Sequence, residues 1–168
     1  MRGKKISEID VAFPASVVWD VYSTRKLSEV VKTIPNFRGK QEVIGDGGVG
    51  TIISGELPPG GPYGAYREKW VTIDHENRVK ETDTIEGGVL DVGFVFYRLR
   101  FEIAEEGPNA SRIKTIIMYE IKDEFAAGNE YIADQNLAQM ETMARAVVKY
   151  LDDTNAAAAA AAAAPLPL

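Results

Sequence analysis

Apolar and polar residues alternate through most of this chain, and a helical period replaces the alternation only near its two ends. Ile9, Val11 and Phe13 alternate with Asp10 and Ala12, which predicts a first strand over residues 6–13, stopped by Pro14. Apolar residues then recur at helical spacing from Val18 to Tyr22 and at Leu27, Val30 and Val31. They predict two short helices, 15–22 and 27–33, broken near Ser23-Thr24 and closed by Pro35. Short strands are expected at 41–44 and 51–57. The run between them, Gly45-Asp46-Gly47-Gly48-Val49-Gly50, superficially resembles a phosphate-binding loop. No Lys-Ser/Thr follows it, and it leads into a β-branched strand rather than a helix, so it reads as a tight turn. After a Pro/Gly-rich loop at 58–64 and a hairpin at 66–85, a turn at Glu86-Gly87-Gly88 leads to a long strand over 92–103. Its inward face is Val95, Tyr97, Leu99, Phe101 and Ile103. The last strand spans 112–121, with Ile113, Thr115, Ile117, Tyr119 and Ile121 inward. Asp123 reads as the N-cap of a helix reaching about residue 151. Gly128 and the polar run 129–136 loosen its first half. Leu137, Met140, Ala144, Val147, Val148 and Leu151 form its buried seam.

The hairpin at 66–85 carries the chemistry. On its first strand Arg67 and Lys69 alternate with Tyr66, Glu68 and Trp70. Two cations belong in water, so the aromatic set points inward and takes Glu68 with it. The face of Lys80 depends on loop length. A three-residue loop, His75-Glu76-Asn77, pairs Thr72 with Lys80 and puts lysine and glutamate on one face, whereas a two- or four-residue loop pairs Val71 with Lys80 and separates them. Asn77 tolerates the left-handed geometry that a three-residue loop needs at its third position, which favours that loop. His75, the only histidine, reads as a solvent-exposed turn residue.

Composition narrows the function. The 168 residues carry a net charge of −6, and no basic stripe points to nucleic acid. There is no cysteine, hence no disulfide framework or thiolate metal site. His, Asp and Glu form no metal-ligand pattern. No apolar run suits a signal peptide or a membrane span, and a cytoplasmic location is expected. One domain is expected over residues 1–153. Residues 154–168 contain nine consecutive alanines and end Pro-Leu-Pro-Leu. This tail is expected to be disordered, foreign to the natural chain, or an extension of the last helix, since alanine favours helix but offers no face to bury.

The element order is one strand, two short helices, six strands and a long helix. It predicts an α+β fold in which a seven-stranded curved antiparallel sheet wraps the C-terminal helix around an internal cavity. This order, with GDGGVGT after the second strand, IEGG at 85–88 and the IK…YE run at 113–120, resembles the plant Bet v 1-like (helix-grip) family, the pathogenesis-related class-ten proteins. YREKWVTIDHENRVKE, ELPPG at 56–60 and LDVGFVFY at 90–97 resemble more narrowly the norcoclaurine synthase branch. That branch condenses dopamine with 4-hydroxyphenylacetaldehyde in a Pictet–Spengler reaction. Its pattern is a tyrosine, a glutamate two residues on, a lysine twelve further and an aspartate nineteen beyond. Tyr66, Glu68 and Lys80 fit it, and Leu99 stands in the aspartate's place. The norbelladine synthases join tyramine to 3,4-dihydroxybenzaldehyde and also lack that aspartate. MRG, VYST at 21–24 and GFxxYxxRxEI at 93–103 resemble this sister branch, although its tyrosine–glutamate spacing differs.

The resemblance implies aromatic amine–aldehyde condensation in plant alkaloid biosynthesis, without a cofactor. Tyr66, Glu68 and Lys80 would be catalytic, and Trp70, Tyr97, Leu99, Phe101, Met140 and Ala144 would line the substrate site. The alternative is a non-catalytic carrier of small hydrophobic ligands such as plant hormones or flavonoids, with a defence role. A monomer or weak dimer is expected, with no nucleic-acid or membrane partner.

Overall fold

The computed structural model describes residues 1–37, 39–165 and 167. Seven strands form one antiparallel sheet in the order β1-β7-β6-β5-β4-β3-β2. They are β1 Arg2–Val11, β2 Lys40–Ile44, β3 Ile52–Glu56, β4 Tyr66–Asp74, β5 Val79–Gly87, β6 Phe94–Gly107 and β7 Ala110–Ile121. Helices α1 (Ala15–Tyr22) and α2 (Lys26–Lys32) follow β1, and α3 (Asp123–Asn129) and α4 (Tyr131–Ala163) follow β7. The predicted fold class is the one observed, and the strands and the first two helices follow in the predicted order.

The core lies between the inner face of the sheet and the helices. Ile113, Ile117, Tyr119 and Ile121 of β7 face Ile132, Ala133, Met140, Ala144 and Val147 of α4 within one buried cluster. Each fully buried aliphatic or aromatic side chain contributes about 1.5–3 kcal/mol, so this face is what holds α4 in place. Helix α4 packs on β1, β7 and α2, while α1 covers β6 and β7.

Five details depart from the sequence reading. Strand β1 begins at Arg2 rather than near residue 6, because backbone pairing to β7 continues to Glu120 without any apolar side chain. Gly3 permits it: a Cβ there would stand 2.1 Å from the Tyr119 ring. On β6 an irregularity between Phe94 and Phe96 reverses the alternation. Phe94 is therefore inward and Val95, expected inside, is 51% exposed. A 3₁₀ turn, Gly88–Val92, precedes β6 where strand was expected. The C-terminal helix breaks at Glu130, where Glu130 accepts a 2.6 Å hydrogen bond from the Tyr119 hydroxyl and Asn129 donates to the Val92 carbonyl. Asp123 lies inside the first turn of α3 and makes no side-chain cap.

Helix α4 continues through the alanine run to Ala163, with those alanines exposed. No helix among the described residues is long and apolar enough to cross a membrane.

Candidate active site

The β4–β5 hairpin does put Glu68 and Lys80 on one face, by a different route from the one expected. Its loop has four residues, 75–78, because Asp74 pairs with Val79. The left-handed residue is Arg78 (φ 52°), not Asn77. Asn77 instead donates backbone and side-chain hydrogen bonds, 3.0 and 2.8 Å, to the Asp74 carboxylate. The loop alone would turn Lys80 away from Glu68. A bulge corrects this: Thr72 pairs with Glu81 but Trp70 pairs with Thr82, leaving Val71 as an extra residue on β4. One inserted residue exchanges the two faces of a strand. Glu68, Trp70, Lys80 and Thr82 thus all face inward.

Lys80 is fully buried. Its Nζ donates a 2.9 Å hydrogen bond to the carbonyl of Tyr22, the last residue of α1, and lies 3.1 Å from the centroid of the Trp70 ring. A helix C-terminus and an aromatic face both favour a cation. Burial nevertheless holds the Lys80 pKa well below the ordinary lysine value, opposed by the charge of Glu68. A lysine so placed is closer to a usable base than one in water. Glu68 is also buried and stands opposite Ile53 of β3.

Both side chains line a small internal cavity of about 50 Å³. Trp70, Leu99, Phe101 and Met140 line it as expected. Tyr97, Ala144 and Tyr66 are buried but are not part of its wall. Tyr97 accepts a 2.9 Å hydrogen bond from Asn136, whose carbonyl accepts from Tyr63, so it ties the sheet to α4 and the Pro/Gly-rich loop. Tyr66 packs over Gly55, and its hydroxyl accepts a 2.7 Å hydrogen bond from Gln41. Gln41 itself lines the cavity, so it stands between Tyr66 and the interior.

Sequence reasoning missed Gln41, Thr82 and Phe37. Gln41 lies on a five-residue strand with no marked pattern, and Thr82 looks like any strand threonine. Phe37 follows α2 and lines both the internal cavity and an outer groove of about 720 Å³ between α2 and the β2–β3 edge. Val31 and Gln41 are shared in the same way. The single histidine is exposed, and its Nδ1 accepts a 3.1 Å hydrogen bond from the Trp19 indole, pinning the hairpin tip to α1. Among the described residues no group of three or more His, Asp and Glu is placed to hold a metal.

A norbelladine synthase from Narcissus pseudonarcissus is 42% identical to this chain over 134 residues, 78% of the chain and 82% of the relative. The chain belongs to the norbelladine and norcoclaurine synthase family. An S-norcoclaurine synthase from Papaver somniferum is 41% identical over 122 residues, and the chain spans only 53% of its length. Among solved structures, a Thalictrum flavum norcoclaurine synthase point mutant in complex with a transition-state analogue matches with a TM-score of 0.84 and 32% identity. The match covers 92% of this chain and 97% of that one. The same enzyme in complex with dopamine and hydroxybenzaldehyde matches with a TM-score of 0.81. A major latex-like protein from Panax ginseng, 19% identical with a TM-score of 0.68, shares the Bet v 1-like fold. No protein-family model matches the chain. The homologues are amine–aldehyde condensing enzymes of alkaloid biosynthesis.

Proposed function

We propose that the chain condenses an aromatic amine with an aromatic aldehyde in the Glu68–Lys80 cavity and releases the iminium ion, the protonated imine, without closing a ring. The observation that carries this reading is the shared burial of Glu68 and Lys80 on one cavity wall, with Leu99 on the neighbouring strand. The amine arrives as ammonium, and the Glu68 carboxylate takes one of its protons. The freed nitrogen attacks the aldehyde carbon to give a carbinolamine. Glu68 returns the proton to the departing hydroxyl, which leaves as water, and the product is an iminium ion. Ammonium and aldehyde thus become iminium and water with no proton gained or lost overall.

Lys80 binds a ring hydroxyl, and its depressed pKa suits it to accept that hydroxyl's proton. Tyr66 acts through Gln41, orienting the amide towards the aldehyde oxygen. Leu99, Phe101, Trp70 and Met140 hold the rings and exclude water. Ring closure further requires loss of a proton from the ring carbon, and with leucine at position 99 the only carboxylate among the described cavity-lining residues is Glu68, already engaged in the dehydration.

The cavity must widen for this chemistry. An apolar cavity of roughly 150 Å³ accommodates benzene, three times the space enclosed here. Met140 and Met143 are the adaptable part of the wall, and Phe37 separates the cavity from the outer groove.

The test is incubation with dopamine or tyramine and a panel of aromatic aldehydes, with product followed by chiral chromatography. Adding a hydride donor traps the imine as a secondary amine. Glu68→Gln should abolish condensation while the circular dichroism spectrum persists. Undiminished turnover by that variant refutes the assignment.

A further inference from the structure

Two hydroxyls on the cavity wall, those of Ser28 and Thr82, have no part in the scheme above, and only that of Thr82 is buried without a partner. Thr82 is 5% exposed and lines the cavity. Its Oγ1 is fully buried and has no hydrogen-bond partner in the protein. Leaving a buried hydroxyl unpaired is costly, and valine would fill the same space on the same strand without that cost. Among the described residues two other buried hydroxyls are unpartnered, on Tyr22 and Ser111, and neither lines the cavity.

The register locates Thr82 within the site. Trp70 stands directly across from it on β4 and Leu99 on β6. Lys80 lies two residues before it on the same face, and Glu68 is its diagonal neighbour through the Glu68–Thr84 pair. The Lys80 amine bends over the ring of Trp70, the residue opposite Thr82. Lys80 and Thr82 therefore flank Trp70 on the same face of the sheet, with apolar Leu99 across from Thr82 on β6.

We propose that Thr82 is a specificity-determining residue for a 1,2-dihydroxyphenyl ring: Lys80 takes one ring oxygen and Thr82 hydrogen-bonds the adjacent one. This rests on the assignment of Lys80 to a ring hydroxyl made above. A threonine hydroxyl both donates and accepts, so it serves a phenol in either protonation state. A monohydroxylated ring leaves Thr82 as unsatisfied as it is without substrate. One neutral hydrogen bond gained on binding is worth about tenfold in affinity.

Thr82→Val and Thr82→Ser test this. Dopamine is compared with tyramine, and 3,4-dihydroxybenzaldehyde with 4-hydroxybenzaldehyde, so that a dihydroxy ring carried by either reactant is covered. Each compound is titrated alone by calorimetry, and each pair is then compared in kcat/KM against a fixed co-substrate. The wild-type protein should favour the dihydroxy member of at least one pair about tenfold. Thr82→Val should collapse that ratio towards one, with an unchanged or higher thermal midpoint, and Thr82→Ser should restore it. A ratio that survives Thr82→Val, or wild-type protein that prefers neither dihydroxy compound, overturns the proposal. If the binding ratio behaves as expected but no product forms, Thr82 keeps its role and the condensing function fails. Product formation with an unaltered ratio in Thr82→Val has the opposite meaning.

Discussion

Replacing Lys80 by methionine should remove a pH-dependent contribution to the stability of the fold. The lysine is completely buried, and burial, opposed by the charge of Glu68, holds its pKa well below the ordinary value of 10.5. Between its folded-state pKa and 10.5 the unfolded chain carries a proton on Lys80 that the folded protein lacks. Stability therefore rises with pH across that window, at up to about 1.4 kcal/mol per pH unit for one proton. The contribution is complete above 10.5 and is lost as pH falls through the folded value. Methionine keeps the length of the side chain and cannot titrate. Urea unfolding followed by circular dichroism from pH 6 to 9.5 gives the free energy of each protein. The wild-type value minus the Lys80→Met value cancels the titrating groups that do not interact with Lys80, and this difference should climb with pH. Glu68→Gln removes the interaction that pulls the lysine pKa back up, so in that background the climb should start at lower pH. A difference that is flat, or that falls as pH rises, would refute the account of Lys80 as an amine whose charged form is disfavoured by burial.

Three further changes bear on the site. Leu99→Asp should yield some cyclised product from dopamine, detectable by chiral chromatography, while the buried carboxylate lowers stability by about 3–5 kcal/mol in urea unfolding. Phe37→Ala should raise kcat/KM for the bulkier aldehydes by opening the cavity to the outer groove, at a cost of about 3 kcal/mol in the same assay. Gly55→Ala would put a Cβ 2.2 Å from the Tyr66 ring. It should cost about 1–3 kcal/mol and lower kcat by dislodging Tyr66 from Gln41, measured by thermal unfolding and steady-state kinetics.

Periodicity made most of the fold legible, because a sheet with one wet face writes its register into alternating residues. Both short helices and the inward faces of β4 and β7 could be read this way. Where a strand carries an irregularity, the pattern misleads. Val95 has the right residue type and the right spacing, yet the break beside Phe94 turns it outward. Lys80 shows the converse, since its expected face is correct although the loop is one residue longer than expected, because the bulge at Val71 offsets the difference. Gly128 and the polar run after it mark a loosened first half of the C-terminal helix, but not a break at Glu130, where side-chain hydrogen bonds reach β7 and the 3₁₀ turn, partners distant in the chain. Glu68, Lys80 and Trp70 could be placed on one inward face because charge and burial conflict visibly on the hairpin, while Leu99, Phe101 and Met140 are implied for the same cavity by the family resemblance. Gln41 and Thr82 could not, since their importance lies in what stands across from them.

The extra residue at Val71 has a consequence for how such a protein can change over generations. With its four-residue loop, the hairpin keeps Lys80 inward only because β4 carries one unpaired residue, Val71, between Trp70 and Thr72. Gain or loss of a single codon in either place would carry Lys80 to the outer surface while leaving tyrosine, glutamate and lysine all present in the sequence. Paired length changes, one in the loop and one in the strand, would be silent. Descendants of this chain could therefore lose the lysine from the cavity without losing the lysine, and a comparison that scores residues but not spacing would count them as intact.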